Sequence, residues 1–228
     1  MVDWVFKYRP SNFDEMALCP ALRERLDFYA KTGEFSHLLL TGDTGTGKTT
    51  AARILSSISD FSTVEEDCAA ESSKARMLAL AKGTTSVSLF GSRRLIIMDE
   101  FHEVPMSVQK IFNKTMEDRY AQNIFIFCVN DADQVAPPVV SRCMRLNFDV
   151  GTLDIKTGKM RMFPWVDMTR TVWIDELKRV GRLVAKKDGK EVSEQQLDKI
   201  ASVDLYLIDP RKFIRALEEQ IKMDEMKE

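Results

Sequence analysis

A glycine-rich segment limits the fold of this chain more than any other feature. Residues 42–49 read GDTGTGKT, which fits the pattern G-x-x-x-x-G-K-[ST]. The apolar run at 36–40 predicts a strand before this segment, and helical spacing over 48–59 predicts a helix after it. Glycines let the backbone curl so that successive N–H groups face an anion, and the amino end of a helix adds positive potential. The segment therefore predicts a loop that binds phosphate groups.

Strand-like and helix-like segments alternate through the first 148 residues. Further apolar runs typical of strands lie at 61–64, 95–98, 124–129 and 144–148, with helix-compatible segments at 72–82 and 107–118. Alternation of this kind predicts an α/β fold, in which helices cover both faces of a parallel sheet.

The pattern changes after residue 148. Residues 152–163 alternate like a hairpin around Thr157-Gly158, and everything from residue 167 onward has helical spacing. Three helices are predicted there, the second capped by Ser193 and the third by Asp209. The charged residues 222–228 predict a frayed end. We therefore expect a nucleotide-binding domain at 1–165 and a small helical lid domain at 166–228.

Composition and charge exclude several classes of protein. The chain has 44% hydrophobic residues, too many for a disordered protein, and 33 Lys+Arg against 35 Asp+Glu, too balanced for a histone-like DNA binder. Its four cysteines are scattered singly, which argues against a zinc ribbon or a thioredoxin-type centre. The sequence has no signal peptide and no run of about 20 apolar residues, so we expect an intracellular protein without a membrane span.

Carboxylates follow the predicted strand at 95–98. Asp99 stands where a P-loop ATPase holds Mg²⁺, and Glu100 is predicted to polarise an attacking water. In the loop, Lys48 would contact the phosphates and Thr49 would offer a hydroxyl to Mg²⁺. Asn130 ends another predicted strand and could orient water near the γ-phosphate. The alternatives are that the carboxylates only cap the next helix and that Asn130 is an ordinary turn residue.

Several motifs, in this order, resemble those of AAA+ clamp-loader ATPase subunits, as in replication factor C and the clamp loaders of T-even phages. They are Lys7-Tyr8-Arg9-Pro10, the loop at 42–49, Asp99-Glu100, Val108-Gln109 with Met116-Glu117, Asn130, Ser141-Arg142-Cys143 and Asp209-Pro210-Arg211-Lys212. The resemblance implies an AAA+ P-loop NTPase fold with a helical lid. Lids of this family usually have four helices, one more than predicted here, and the chain is expected to lack the family's usual helical collar domain.

The resemblance also implies roles for individual residues. Asn130 would sense the γ-phosphate, Arg142 would reach into the ATP of a neighbouring subunit, and Arg211 would be a second sensor on the lid. Without the resemblance, Arg142 and Arg211 would be interpreted as solvated surface residues. ATP and Mg²⁺ are the expected cofactors, and Tyr8 and Arg9 would form part of the adenine pocket. The full set of expected cofactor-binding residues is Tyr8, Arg9, Gly42, Asp43, Thr44, Gly45, Thr46, Gly47, Lys48, Thr49 and Thr50.

Duplex DNA would contact helices of the nucleotide-binding domain, according to the same resemblance. The matching segments carry four basic residues, namely Lys74, Arg76, Lys110 and Lys114. Such residues on phosphates give affinity without sequence preference, although charges on a helix face are often only solvated. Gln109 could relay DNA contact to Glu100.

These features predict an ATP-hydrolysing motor subunit of a sliding-clamp loader, acting in the cytoplasm of a bacterium or a phage-infected host. The expected partners are other clamp-loader subunits or copies of itself, a sliding clamp and primer-template DNA. One alternative is a helicase loader or another DNA-remodelling AAA+ ATPase. Another is a nucleotide-binding scaffold that hydrolyses nothing, which the presence of Lys48, Asp99, Glu100 and Arg142 argues against.

Overall fold

The computed structural model describes residues 3–58, 61–83, 93–118, 122–154, 156–164 and 166–226. The chain forms two compact units. The first, here called the terminal unit, comprises Met1–Arg25, Asp43–Thr50 and Asp149–Glu228, and the second, here called the sheet unit, comprises Leu26–Gly42 and Ala51–Phe148. The predicted domain boundary at residue 165 stays a prediction, since these two units divide the chain differently.

A five-stranded parallel sheet lies at the centre of the sheet unit. Its strands are β1 (Leu38–Thr41), β2 (Ser62–Asp67), β3 (Arg94–Asp99), β4 (Asn123–Val129) and β5 (Met144–Asn147), in the spatial order β2-β3-β4-β1-β5. Every pairing is parallel, so all five carboxyl ends lie at one edge. The predicted α/β fold and all five predicted strands are confirmed.

The apolar core explains why these segments form a buried sheet. All seven residues of β4 are buried, as expected where both faces of a parallel strand are covered. On one face, Phe125 and Phe127 stack with their ring centroids 5.6 Å apart. Phe101 and Phe112 pack against Phe127 at 4.4 and 6.3 Å, which fixes the segments that follow β3.

Eleven helices are present in the described residues. They are α1 (Trp4–Lys7), α2 (Pro20–Thr32), α3 (Lys48–Ile58), α4 (Lys74–Gly83), α5 (Met106–Gln109), α6 (Phe112–Asp118), α7 (Pro137–Val140), α8 (Arg170–Lys187), α9 (Glu194–Ala201), α10 (Asp204–Leu207) and α11 (Pro210–Glu225). The expectation of one helix over 107–118 is wrong. The chain tightens there, because the N–H of Ile111 bonds to Val108 O only three residues back, and α5 ends before α6 begins.

The terminal unit carries the predicted hairpin, with β6 (Gly151–Leu153) antiparallel to β7 (Met160–Met162). Four helices follow, α8 to α11, so the expectation of three is wrong. The additional one, α10, has four residues, too few to show a helical period in the sequence. The predicted fraying is also wrong up to Glu225, where α11 ends. None of the described helices is long and apolar enough to span a membrane.

Both predicted caps are confirmed. Ser193 forms a capping box with Gln196 at the start of α9. Asp209 accepts hydrogen bonds from the N–H groups of Arg211 and Lys212, and Pro210 takes the first helical position of α11. These contacts fix where α11 begins and therefore where Arg211 lies.

Candidate nucleotide site

The glycine-rich loop begins directly after β1 and leads into α3. Gly42, Gly45 and Gly47 have φ angles of 144, 94 and 103°, a backbone region that residues with a Cβ rarely adopt. Gly45 is also restricted by space, because a Cβ at this position would overlap the carboxylate of Asp209. The predicted phosphate-binding loop therefore has a conformation that depends on its glycines.

Hydrogen bonds within the terminal unit hold this loop. The carbonyl of Asp43 accepts from the Thr46 hydroxyl at 2.8 Å and from Lys48 Nζ at 3.0 Å. The N–H of Asp43 donates to Asp149 Oδ1 at 2.7 Å. Lys48 is 6% exposed and is the first residue of α3. Its ammonium thus lies at the amino end of a helix, where the helix dipole favours an anion.

Two carboxylates lie where β3 ends. Asp99 is the last residue of the strand, and its Oδ1 accepts from the N–H of Glu100 at 3.2 Å. Glu100 has φ 50° and ψ 39°, the left-handed conformation, and is the only non-glycine residue with positive φ in the described ranges. Such conformations cost of order 1–3 kcal/mol and cluster at functional sites.

Asn130 follows β4 at the same edge of the sheet. Its carbonyl accepts from the N–H of Gly42 at 3.2 Å. Its side-chain Nδ2 lies 3.4 Å from Nε2 of His102, which is in turn 3.4 Å from Glu100 Oε2. The structure therefore brings Asn130 and Glu100 to one histidine. No role was predicted for His102, whose only signal in the sequence is that a polar residue follows shortly after the acidic pair.

Arg142 lies between α7 and β5 in the sheet unit. Its guanidinium forms an ion pair with Glu117 of α6, with Nε 3.0 Å from Oε1. Nη1 also donates to the carbonyl of Pro138 at 2.6 Å. Arg142, predicted to reach as an arginine finger into the ATP of a neighbouring subunit, thus contacts residues of its own chain. Its partner Glu117 belongs to a quoted motif, but no function was predicted for it.

The remaining predicted nucleotide residues belong to the terminal unit. Tyr8 is half-buried and bonds through its hydroxyl to Asp188, which also accepts from Lys7 Nζ at 2.6 Å. These hydrogen bonds, that of Lys7 first, hold the pKa of the Asp188 carboxyl below its usual value. Arg9 is exposed. Arg211 is exposed in the first turn of α11, with Nε 3.9 Å from Asp209 Oδ1.

The four predicted DNA-contacting residues differ in their surroundings. Arg76 is bound by Glu66 through two hydrogen bonds of 2.6 and 2.5 Å. Lys74, Lys110 and Lys114 are exposed and have no ion-pair partner among the described residues. A lysine without an ion-pair partner can bind a DNA phosphate without breaking an existing ion pair. These three lysines are therefore better candidates for DNA contact than Arg76.

Gln109, predicted as a relay to Glu100, is fully buried. Its Nε2 donates to the carbonyls of Val104 and Gln134, and its Oε1 accepts from the N–H of Ala136 at 2.6 Å. The side-chain amide therefore braces α5 against two neighbouring loops, and Glu100 is not among these partners.

Residues 38–150 match the family described as "ATPase family associated with various cellular activities (AAA)". The chain therefore contains an AAA ATPase domain. It is 30% identical over 223 residues to replication factor C small subunit 1 of Pyrobaculum islandicum, an alignment that covers 94% of the chain and 60% of that protein. It is 29% identical over 222 residues to replication factor C small subunit of Methanoculleus marisnigri, covering 94% and 62%. The AAA chain thus spans about three fifths of the length of these relatives.

Solved structures of Thermotoga maritima RuvB share the fold of this AAA chain. The Holliday junction branch migration motor superposes with a TM-score of 0.68 at 21% identity, covering 92% of this chain and 64% of that one. A point mutant of the same RuvB protein gives a TM-score of 0.72 at 20% identity, covering 96% and 68%. The predicted P-loop NTPase fold of the AAA+ type is confirmed.

Proposed function

We propose that this AAA protein is an ATP-hydrolysing motor subunit of a sliding-clamp loader, which couples ATP binding and hydrolysis to loading of a clamp onto primed DNA. The observation that carries the proposal is the similarity to replication factor C small subunits over 94% of the chain. This similarity extends beyond the matched AAA residues at 38–150. Because it includes the terminal unit, it supports a clamp-loader subunit more strongly than an AAA domain of unspecified role.

The loop supports the ATP-binding part of the proposal. Its glycines adopt positive φ angles that residues with a Cβ rarely adopt, and Lys48 lies at the start of α3. A hydroxyl on Thr49 and a carboxylate on Asp99 are the oxygen donors that Mg²⁺ prefers, so the chemistry of these residues fits that ion. When bound, Mg²⁺ would neutralise charge on the phosphates. In the proposed roles, Lys48 binds the β- and γ-phosphates, and Tyr8 and Arg9 bind the adenine end.

The edge of the sheet supports hydrolysis. Glu100 would orient and polarise the attacking water, and Asn130 would hold the γ-phosphate. The left-handed backbone of Glu100 directs its side chain in a way that an ordinary strand end would not. Arg142 would complete the charge stabilisation of a neighbouring subunit's ATP, and Arg211 that of its own.

DNA and protein partners follow from the same proposal. Lys74, Lys110 and Lys114 would contact phosphates of primer-template DNA, with a smaller part for the paired Arg76. The chain would assemble with other clamp-loader subunits or with copies of itself, in the cytoplasm of a bacterium or an infected host. A sliding clamp would be the cargo.

The proposal is tested by ATPase assays with the full chain and the other subunits of its replication system. We expect turnover to rise when primed single-stranded DNA and the sliding clamp of that system are added together. Stimulation by a replicative helicase in place of the clamp would support a helicase loader. Absence of turnover under every combination, despite ATP binding, would support a nucleotide-binding scaffold.

Two variants test the assigned roles. Lys48→Ala should lose tight binding of ATP, because Lys48 contacts the phosphates in the ground state. Glu100→Gln should keep ATP binding and lose turnover, because Glu100 acts when water attacks. Equal loss of ATP affinity in both variants, measured by equilibrium binding of a fluorescent ATP analogue, would contradict these roles.

A further inference from the structure

His102 faces two proposed catalytic side chains with a single ring nitrogen. Its Nε2 lies 3.4 Å from Glu100 Oε2 and 3.4 Å from Asn130 Nδ2. The His102 side chain is 12% exposed. All three residues belong to the sheet unit, where β3 and β4 end.

The two neighbours require opposite states of that nitrogen. A carboxylate oxygen only accepts, so Glu100 needs an N–H at Nε2, whereas the amide NH₂ of Asn130 only donates and needs a lone pair there. A neutral imidazole carries its proton on one nitrogen at a time. Nε2 therefore bonds to Glu100 in one tautomer and to Asn130 in the other.

Among the described residues, the far side of the ring makes no hydrogen bond that would fix one tautomer. Nδ1 of His102 is buried and has no hydrogen-bond partner in the part of the chain that the structure describes. Ordinarily a partner on the second nitrogen sets the tautomer. The other histidine of the chain, His37, shows this case. Its Nδ1 accepts from the N–H of Phe125 at 3.1 Å, and its Nε2 lies 3.2 Å from the carbonyl of Met116, which fixes the proton on Nε2.

The segment that carries His102 is anchored. His102 is the middle residue of a 3₁₀ turn, Phe101–Glu103. Phe101 is fully buried, with its ring centroid 5.8 Å from that of Phe112 and 4.4 Å from that of Phe127. Because the neighbouring residue is fixed in the core, the imidazole has a defined place beside Glu100 and Asn130.

We propose that His102 is a positioning residue that exchanges its Nε2 hydrogen bond between Glu100 and Asn130 by changing tautomer. This inference rests on the proposed ATP hydrolysis. When Asn130 Nδ2 turns to the γ-phosphate, His102 carries Nε2–H and holds the Glu100 carboxylate for the attacking water. When the phosphate leaves, Nε2 accepts from Asn130 and Glu100 is released. Each exchange breaks the N–H bond at one ring nitrogen and forms one at the other, with no net change of charge. Because Nδ1 is buried, water carries the proton to it only when the Phe101–Glu103 turn opens locally.

The tautomer can be measured directly because the chain has only two histidines. We would label the full chain with ¹⁵N-histidine and record imidazole nitrogen shifts at pH 8, where histidine in water is neutral. His102→Gln assigns the signals, and His37 serves as an internal reference in the Nε2–H form. Asn130→Ala should move His102 toward Nε2–H, and Glu100→Ala should move it toward Nδ1–H.

A matched control comes from Glu103, whose Oε1 lies 3.7 Å from His102 Nε2 and whose side chain is 56% exposed. Glu103→Gln removes a more distant and more exposed carboxylate and leaves Glu100 and Asn130 in place, so it should shift the tautomer ratio much less than Glu100→Ala does. Shifts of His102 that stay constant in Asn130→Ala and Glu100→Ala, or that move in the same direction in both, would overturn the proposal.

Turnover gives a second readout. His102→Ala should lower kcat by roughly 10- to 100-fold, the scale on which misplaced catalytic groups slow reactions, and leave the affinity for an ATP analogue within about twofold. His102→Gln, whose amide offers both a donor and an acceptor, should restore most of kcat. Wild-type kcat in His102→Ala would overturn the proposal. Absence of ATPase activity in the wild type would instead overturn the proposed function, while the tautomer measurement, which needs no turnover, would still decide the exchange.

Discussion

Replacement of Gly45 by alanine is expected to disturb both the loop and the start of α11. Gly45 has φ 94°, and a Cβ there would overlap the carboxylate of Asp209. Asp209 accepts hydrogen bonds from the N–H groups of Arg211 and Lys212 and thereby caps α11. In Gly45→Ala the Asp209 side chain must move away, and this cap is lost.

The size of the effect follows from two contributions. A residue with a Cβ in a left-handed conformation costs about 1–2 kcal/mol. Loss of an aspartate cap costs about 1 kcal/mol more. Gly45→Ala should therefore lower the free energy of unfolding by about 2–3 kcal/mol, or Tm by roughly 4–12 °C for a chain of this size.

The double variant separates these contributions. Asp209→Ala alone should cost about 1 kcal/mol through the lost cap. Added to Gly45→Ala it should cost nothing further, because the cap is already broken and the overlap disappears with the carboxylate. Gly158→Ala is the matched control, since Gly158 has φ 64° with no atom within 4 Å of the added Cβ. Its cost should simply add to that of Asp209→Ala.

Urea unfolding followed by circular dichroism measures these free energies, and binding of a fluorescent ATP analogue reports on the loop. Additive costs for Gly45→Ala and Asp209→Ala, or a Gly45→Ala variant as stable as Gly158→Ala, would contradict the predicted loss of the cap. Additivity would mean that the Asp209 side chain does not respond to the new Cβ.

Three further predictions concern DNA, the thiols and subunit contacts. Replacing Lys110 and Lys114 together by alanine should reduce the slope of log K against log salt concentration for DNA binding by about 0.9 per lost phosphate contact. Arg76→Ala should change this slope little, since Glu66 already binds Arg76. An unchanged slope in the double variant would mean that the two lysines are only solvated. Burial raises the pKa of Cys68 and of Cys143 to about 12. At pH 8 both thiols should therefore react with iodoacetamide roughly 10³-fold more slowly than an ordinary thiol, until urea unfolds the chain. Rapid labelling of these two cysteines in the folded protein, seen by mass spectrometry, would contradict this. Arg142→Ala should bind ATP but lose roughly 10³- to 10⁵-fold in turnover. Mixing it with Lys48→Ala should restore part of the activity, because the intact phosphate-binding loop of the first variant can then be completed by Arg142 of the second. No recovery in demonstrated co-assemblies would count against this role of Arg142.

The sequence predicted the features that have a strong local pattern. The buried strands are continuous apolar runs, and the loop at 42–49 is defined by its glycines and Lys48. Caps are equally local, since Asp209 and Ser193 bond within three residues of their own positions. For these features, neighbours in the chain supply most of the physical information.

Features that depend on distant contacts escaped prediction. The break between α5 and α6 accompanies the buried bonds of Gln109 to residues 104, 134 and 136, which no helical period encodes. The approach of Asp209 to Gly45 joins positions 164 residues apart in the sequence, so a residue read only as a cap also restricts the loop. The proposed role of His102 likewise depends on its contact with Asn130, which follows a different strand.

The ion pair between Arg142 and Glu117 is compatible with a finger that acts on another subunit. The two side chains are 31% and 56% exposed, and pairs at such surfaces contribute about 0–1 kcal/mol because water screens them. A phosphate offers more negative charge and bidentate acceptors to a guanidinium, so exchange of Glu117 for a neighbour's ATP costs little. The hydrogen bond from Arg142 Nη1 to Pro138 O does not involve the carboxylate and can persist through this exchange. In the isolated chain, the pair with Glu117 is therefore weak enough for Arg142 to exchange it for a partner's ATP, as the proposed role requires.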